Sequence, residues 1–299
     1  MLAQIGKNKF KTMLIVGLIF AFVAVVVYFA SSALGMGNLS LPLAFGTTFV
    51  TTFISYYSSD KIILKISGAR PADPETDKKV QNIMEGLVIA SGIPMPKVYI
   101  INDPSPNAFA TGRNPKNGVV AVTTGLLATM DYYQLEGVLA HELAHIKNYD
   151  ILLQTIVTVM VGAAVMLADM WRRSMMFGGG RNRNSNNKNG SGQAVMLIVG
   201  IVLVVLAPIA GQLMKMALSR NREYLADATA VEMTRNPEGL AGALERLRGA
   251  PPVANATNAT AGLYISNPLK QKAGNTEKTS LFATHPPIAK RVEAIRGIR

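Results

Sequence analysis

The chain alternates between long apolar stretches and segments of mixed polarity. Residues 13–33 and 39–57 form one pair of apolar stretches, and residues 151–168 and 194–213 form a second pair. A run of about 20 apolar residues crosses a hydrocarbon core of roughly 30 Å as a helix. The pattern therefore predicts a mainly α integral membrane protein with about four apolar helices.

The first pair is predicted to be a helical hairpin that enters and leaves the membrane on one side. Basic residues flank both of its ends. They are Lys7, Lys9 and Lys11 before the pair, and Lys61, Lys65 and Arg70 after it. Because short basic flanks remain in the cytoplasm, residues 1–59 are expected to form a membrane hairpin with cytoplasmic ends. A secretory signal is the alternative, but its apolar region is usually only about 7 to 15 residues, so we interpret residues 13–33 as an uncleaved anchor.

The second pair, within residues 151–217, leaves two topologies open. Its link, residues 171–193, is of low complexity and is expected to be disordered. The basic residues of this link are Arg172, Arg173, Arg181, Arg183 and Lys188. A spanning hairpin would place them all outside the cell, against the usual charge bias. Either the charges around the first hairpin dominate, or the second pair enters the membrane only in part.

Residues 60–150 are predicted to form a cytoplasmic part with a small sheet. An amphipathic helix is expected up to Ser91, with Asp73 as its N-cap and Gly92 at its end. Short runs rich in β-branched or aromatic residues then predict strands. These runs are residues 97–101, 108–111 and 119–123.

Further helices are predicted on both sides of the second apolar pair. Asp131 and Gln134 supply a capping-box start for a helix that continues through His145. After the fourth apolar stretch, residues 218–299 are expected to form a second cytoplasmic part. Its predicted helices lie at residues 220–234, from residue 236 onwards, and at residues 287–299.

Composition narrows the chemistry that these segments perform. The chain has no cysteine, which excludes thiolate catalysis and thiolate metal sites, so any transition metal must bind histidine and carboxylate groups. The net charge is +12, but no basic run interleaved with aromatic residues occurs. Lys and Arg beside membrane segments account for the charge, so the lipid bilayer is an expected partner and nucleic acid is not.

Residues 141–145 contain the candidate catalytic centre. His141 and His145 lie one helical turn apart, with Glu142 directly after the first. On a helix, two imidazoles at this spacing project from one face and can share an ion. Zinc suits such ligands and leaves one position for water, so Glu142 is the predicted general base of peptide hydrolysis. The alternative is two ordinary helix histidines, but with three histidines in the chain chance gives this arrangement on the order of once in a thousand.

A catalytic zinc needs a third protein ligand. The remaining histidine is His285, which makes a carboxylate a serious candidate. Glu223 and Asp227 stand four residues apart on a predicted helix, where both can face the metal. On spacing alone, such a pair is more typical of a solvated helix face.

Four motifs spread along the chain carry a family resemblance. They are residues 107–112 (NAFATG), 141–148 (HELAHIKN), 222–227 (REYLAD), and 284–287 (THPP) with Arg291. Together with both apolar pairs, these motifs resemble the HtpX-like membrane zinc metallopeptidases, which are related to the CAAX prenyl proteases of eukaryotes. The resemblance covers almost the whole chain.

The resemblance implies a small α+β zinc metallopeptidase domain of the gluzincin type. It implies that Glu223 joins His141 and His145 in holding one Zn²⁺ per chain, and that Asp227 supports the site from behind. It also implies that His285 stabilises the oxyanion of the reaction.

The resemblance also implies a substrate-binding strand. Asn107, Ala108, Phe109 and Ala110 are expected to pair with an extended polypeptide through main-chain hydrogen bonds. Arg291 is implied to be a further substrate-binding residue.

The function predicted from these features is that of a zinc endopeptidase in the cell inner membrane, with its active site on the cytoplasmic side. Its expected substrates are misfolded or damaged membrane proteins, in protein quality control and stress response. One alternative is a membrane transporter or scaffold with an incidental metal site. Another is a prenyl-peptide protease, against which the small number of apolar stretches argues.

Overall fold

A computed structural model of the protein shows a mainly helical chain with one four-stranded sheet in its described part. The described residues are 2–33, 36–159, 200, 220–269 and 285–298.

Two long helices form the N-terminal hairpin. α1 spans Leu2–Ala33 and α2 spans Ser40–Ile66, with a short 3-10 helix at Gly37–Leu39 between them. The helices pack along each other, while apolar side chains such as Phe49 and Phe53 are exposed on the outward face of α2. By length and composition, Gly37–Ile66 is a helical segment able to cross a membrane.

Both helices extend beyond the stretches predicted for them. α1 begins at Leu2 instead of residue 13, because the polar N-terminal residues are also compatible with a helix. α2 continues past residue 57 to Ile66 without a break. Its last turns bury Ile63 and Leu64, so one helix connects the apolar hairpin to the core of the next part.

The second predicted apolar pair lies largely outside the described residues. Residues 151–159 are helical and mostly buried. The remainder of the stretch 151–168, the basic link 171–193 and, apart from Gly200, the stretch 194–213 are not among the described residues.

The sheet has the strand order β1-β2-β4-β3. The strands are β1 (Ala69–Pro71), β2 (Lys97–Ile101), β3 (Ala108–Gly112) and β4 (Gly118–Thr123). β2 and β4 are parallel, whereas β1 and β3 are antiparallel to their neighbours. The three predicted strands are confirmed. The three-residue β1 was not predicted, because so short a run carries no periodicity.

Further helices follow along the chain. They are α3 (Lys78–Ser91), α4 (Thr124–Thr129), α5 (Tyr132–Lys147), α6 (Arg220–Thr234), α7 (Pro237–Leu247) and α8 (Ile288–Arg296). The predicted start of α5 is confirmed, since Asp131 and Gln134 form a reciprocal capping box. The predicted start of α7 is also confirmed, since the Asn236 side chain accepts from the Gly239 amide.

The predicted start of α3 is wrong. The Asp73 side chain accepts hydrogen bonds from the Glu75 and Thr76 amides, and so it stabilises a separate turn. α3 begins at Lys78 after Asp77. The predicted end is confirmed, because Gly92 has a φ of 69°, which glycine adopts at no steric cost.

Both faces of the sheet are buried. Ile100 and Val120 belong to the core formed with α3 and α5. Ile101 and Phe109 belong to a second cluster with Ile63 of α2. A sheet covered on both faces has nearly continuous apolar strands instead of alternating ones, as seen in β4, whose six residues are all buried.

α5 and α7 approach each other so closely that glycine is required at their contact. A Cβ atom on Gly137 would lie 2.6 Å from the backbone nitrogen of Leu240. This contact fixes α5, which carries the candidate catalytic residues, against the C-terminal part of the chain.

Candidate active site

α5 brings the three predicted residues of the H-E-x-x-H motif into the interior. His141, Glu142 and His145 are all buried. The Nε2 atoms of the two histidines lie 3.2 Å apart, because a spacing of four residues places both rings on the same side of the helix. The two imidazoles therefore point at one position.

α6 supplies Glu223 to the same position. Its Oε1 atom lies 3.5 Å from Nε2 of His145, and its Oε2 atom lies 3.8 Å from Nε2 of His141. One ligand atom from each of these three residues lies within 4.8 Å of the others. Two imidazole nitrogens and one carboxylate are a donor set that suits zinc.

The Glu142 side chain lies beside this cluster without a hydrogen-bond partner among the described residues. Neither of its carboxylate oxygens makes a hydrogen bond with another described residue, although the Ala110 backbone amide faces the carboxylate closely enough to lower its pKa slightly. Buried polar atoms are normally hydrogen-bonded. A buried carboxylate held in this way is suited to a water molecule or a substrate group.

Each histidine of the motif has a carboxylate on its outer nitrogen. Oδ1 of Asp227 lies 2.9 Å from Nδ1 of His141. Oδ2 of Asp150 lies 3.3 Å from Nδ1 of His145. Sequence reasoning anticipated Asp227 but missed Asp150. The signal available was an acidic residue five positions after His145, in a polar group that follows the motif.

Arg291 is fully buried beside the site, with Nη1 3.6 Å from Oε2 of Glu223. Its Nε and Nη2 atoms donate to the two carboxylate oxygens of Asp227, at 2.9 and 2.7 Å. Its Nη1 atom donates to the Ile265 carbonyl at 3.1 Å, and Nη2 lies 3.3 Å from Nε2 of His141. These contacts give Arg291 a supporting position, and a role in substrate binding stays a prediction.

His285 also contacts Glu223. Its Nδ1 atom is 2.9 Å from Oε2 of Glu223. Its Nε2 atom is buried and has no hydrogen-bond partner among the described residues. The structure therefore brings all three histidines of the chain to one site.

Among the predicted substrate-binding residues, Ala108, Phe109 and Ala110 lie in β3 and Asn107 directly precedes it, and all four are buried. Ala110 faces Glu142, as described above. The other half of the strand edge is covered by residues 264–266: the Ile265 amide donates to the Ala108 carbonyl at 2.9 Å, and Nδ2 of Asn107 donates to the Ser266 carbonyl at 3.1 Å. Phe109 and Tyr264 also form an isolated bridge. Substrate pairing along this strand stays a prediction, with Ala110 as its nearest point to the site.

Burial and neighbouring charges shift the pKa values of the central groups in different directions. Burial raises the pKa of Glu142 to about 8. Burial and the Arg291 charge lower the pKa of His141 to about 4, which keeps that imidazole neutral. Burial also acts to lower the pKa of His145, but Asp150 and Glu223 outweigh it and raise the value to about 9. The carboxylates around the site thus favour a positive charge at the position that the ligands share.

Comparison with known proteins agrees with this geometry. Residues 74–299 match Peptidase family M48. The "Protease HtpX homolog" of Dictyoglomus thermophilum is 47% identical over 293 residues, which are 98% of this chain and 93% of that protein. The "Protease HtpX homolog" of Ligilactobacillus salivarius is 40% identical over 98% of each chain.

A solved structure shares the fold. The crystal structure of S. mikatae Ste24p matches with a TM-score of 0.50 and 18% sequence identity. The match covers 97% of this chain, which spans 66% of the length of that protein.

These matches confirm the resemblance to HtpX-like metallopeptidases. The family implies a metal, and the buried imidazole and carboxylate donors of the site fit one. This chain belongs to peptidase family M48, and it is a zinc metalloprotease that hydrolyses peptide bonds.

Proposed function

We propose that this protein is a membrane endopeptidase in which His141, His145 and Glu223 hold one Zn²⁺ per chain. The observation that carries the proposal is the convergence of these three side chains beside a buried Glu142 that has no hydrogen-bond partner among the described residues. Zinc held by such ligands acts as a Lewis acid and lowers the pKa of a bound water molecule towards about 7.

The other side chains of the site transfer protons or stabilise charge. Glu142 accepts the proton of the attacking water and passes it to the leaving amine, because its carboxylate is buried and makes no competing hydrogen bond. Asp227 holds the His141 ring through Nδ1.

His285 stabilises the negative charge that develops on the carbonyl oxygen of the substrate. Its Nε2 atom is the buried side-chain nitrogen at the site that lacks a partner among the described residues. Donors aimed at a developing oxyanion are usually a large contribution to the rate. Nδ1 of the ring lies against Glu223, so donation to the oxyanion requires that Nε2 also carries a proton, as in the imidazolium form.

The polypeptide substrate binds in an extended conformation along β3. Main-chain pairing at Ala110 would place the scissile bond next to Glu142, since the amide of Ala110 faces that carboxylate. Recognition through the main chain is tolerant of sequence. Such tolerance suits an enzyme that degrades misfolded or damaged membrane proteins in quality control and stress response.

The catalytic parts, residues 60–150 and 218–299, lie on the cytoplasmic side of the cell inner membrane, as a gluzincin-like α+β unit. Residues 1–59 and 151–217 anchor them as two hairpins, with about four apolar helices in all. Support comes from the membrane-length helix Gly37–Ile66 and from the basic residues that flank the first hairpin.

A pair of variants on one helix tests this function. In Glu142→Gln the base is removed and the ligands remain, so we expect unchanged zinc content and a loss of peptidase activity of about 10²- to 10⁴-fold. Glu136→Gln is the matched control, because it makes the same chemical change on α5 at a partly exposed position outside the metal group. The measurement is hydrolysis of a quenched fluorescent peptide by the purified, zinc-loaded protein. Full activity of Glu142→Gln would refute the proposed base.

The substrate class needs its own assay. An unmodified membrane protein with a destabilised fold is compared with a prenylated peptide, each at equal concentration in the same lipid vesicles. We expect cleavage of the unmodified protein. Cleavage of the prenylated peptide alone would replace quality control with prenyl-peptide processing.

A further inference from the structure

The two imidazoles of the metal group are supported by different segments of the chain. His141 is backed by Asp227 of α6, whose carboxylate is in turn bonded to Arg291. His145 is backed by Asp150, which lies beyond the end of α5 and directly before the helical residues 151–159. The residue that contacts the outer nitrogen of His145 therefore lies in the turn between α5 and the helical residues 151–159.

This turn is shaped so that it returns Asp150 to His145. The Asp150 amide donates to the His145 carbonyl at 3.0 Å, and the Asn148 amide donates to the Ala144 carbonyl at 2.9 Å. Tyr149 between them has a φ of 60°, a conformation that a residue with a bulky side chain rarely adopts. A costly backbone conformation is retained where the surrounding contacts require it. Here it directs the carboxylate of Asp150 towards the imidazole.

Arg222 completes this second support. Its Nε atom lies 3.6 Å from Oδ1 of Asp150, and both side chains are buried. Arg222 also precedes Glu223 directly in the sequence of α6. The arginine therefore connects the carboxylate behind His145 to the helix that carries the third member of the metal group.

We propose that Asp150 is a positioning residue for His145, and that Arg222 holds Asp150 in that role. Nδ1–H of His145 donates to Asp150, which fixes the tautomer with its free electron pair on Nε2, the atom that faces Glu223 and His141. The structure then contains two supports of the same composition, His141–Asp227–Arg291 and His145–Asp150–Arg222, of which the second has the longer distances. The inference rests on the proposed zinc site and extends it to residues outside the ligand set.

Zinc affinity, measured by chelator competition on the purified full-length protein, tests the proposal. Loss of an outer hydrogen-bond partner typically weakens metal binding by about 10- to 100-fold. We expect a loss in this range for Asp150→Ala. A smaller loss of about 10-fold is expected for Asp150→Asn, because its amide oxygen still accepts from Nδ1 but carries no charge. Arg222→Gln is expected to weaken binding in the same direction.

Asp77→Asn is the matched control. Asp77 is also a buried carboxylate paired with an arginine, at 2.8 Å from Arg70, but its hydrogen bonds go to Arg70 and to the Asp73 amide. Its substitution should leave zinc affinity unchanged. A second readout is the visible absorption spectrum of the Co²⁺-loaded protein, which reports ligand geometry. We expect a shifted spectrum for Asp150→Asn and an unshifted spectrum for Asp77→Asn.

The outcomes separate this proposal from the zinc site on which it rests. If wild-type protein binds no zinc, or if His145→Ala binds zinc as tightly as wild type, the proposed zinc site fails. If His145→Ala loses zinc but Asp150→Ala and Asp150→Asn bind it as tightly as wild type, the positioning role alone is overturned. Should Asp150→Ala fail to fold, unchanged affinity and an unshifted Co²⁺ spectrum of the nearly isosteric Asp150→Asn would overturn it.

Discussion

The N-terminal hairpin and the catalytic part depart in opposite ways from the usual pattern of a water-soluble protein, in which apolar side chains are buried and charged side chains are exposed. The hairpin exposes large apolar side chains, with Phe49 63% and Leu18 59% accessible. The catalytic part instead buries charged side chains completely, among them Arg291 and Asp150. Exposed apolar surface is unfavourable in water unless an apolar environment covers it, and a buried charge is unfavourable unless an opposite charge lies beside it.

The compensation differs between the two regions. We propose that lipid tails cover the exposed apolar surface of the hairpin, because its helices hydrogen-bond their own backbone groups and need no water for this. In the catalytic part, four buried carboxylates, Glu142, Asp150, Glu223 and Asp227, surround the imidazoles. Two buried arginines, Arg222 and Arg291, oppose them. The carboxylates beside His145 favour a positive charge at the position that the imidazoles share, and we propose that a metal ion supplies that charge.

The largest effect is expected from removing the proposed third ligand. Glu223→Ala should abolish stoichiometric zinc binding, with a larger loss than the about 10- to 100-fold that follows removal of an outer partner. Glu232→Ala is the control, because Glu232 is an exposed carboxylate of the same helix. The measurement is bound zinc per chain after dialysis against a weak chelator. Unchanged zinc affinity in Glu223→Ala would show that Glu223 is not a zinc ligand.

The parts of this arrangement that depend on local sequence were predictable. The H-E-x-x-H spacing determines that His141 and His145 share a helix face, and the capping box of α5 lies within four residues of Asp131. Apolar stretches likewise identified α1 and α2, because a run of apolar residues long enough to cross a membrane is visible in the local sequence.

Contacts between distant segments were not predictable in the same way. The pairing of Asp150 with Arg222 depends on how α6 packs against α5. The cover of the β3 edge by residues 264–266 joins segments about 150 residues apart, as in the Asn107–Ser266 hydrogen bond. Neither shows a sequence period. The residues alone made Glu223 only one candidate for the third ligand, and the resemblance to a family assigned roles to Glu223 and His285 because their motifs could be recognised.

A second, smaller effect concerns the cost of charge burial. Arg291→Met removes one partner of a buried pair and leaves the Asp227 carboxylate without its guanidinium. Breaking such a pair typically lowers stability by about 3 to 5 kcal/mol. Arg296→Met is the control, because the ion pairs of Arg296 with Glu238 and Glu245 are exposed. The free energy of unfolding of this variant should equal that of the wild type. Both are measured by denaturant unfolding in detergent, and equal stability of Arg291→Met and wild type would contradict the prediction.

The smallest effects compare the two regions directly. Leu244 is fully buried in the core of the catalytic part, and Leu244→Ala should lower the free energy of unfolding by about 2 to 5 kcal/mol. Phe49 is larger, but its side chain faces outwards from α2. Because detergent or lipid contacts it in both the wild type and the variant, Phe49→Ala should change the free energy of unfolding by no more than about 0.5 kcal/mol. Unfolding in the same detergent measures both. A loss for Phe49→Ala as large as that for Leu244→Ala would mean that protein, instead of lipid, covers the outer face of α2, and the contrast between the two regions would then disappear.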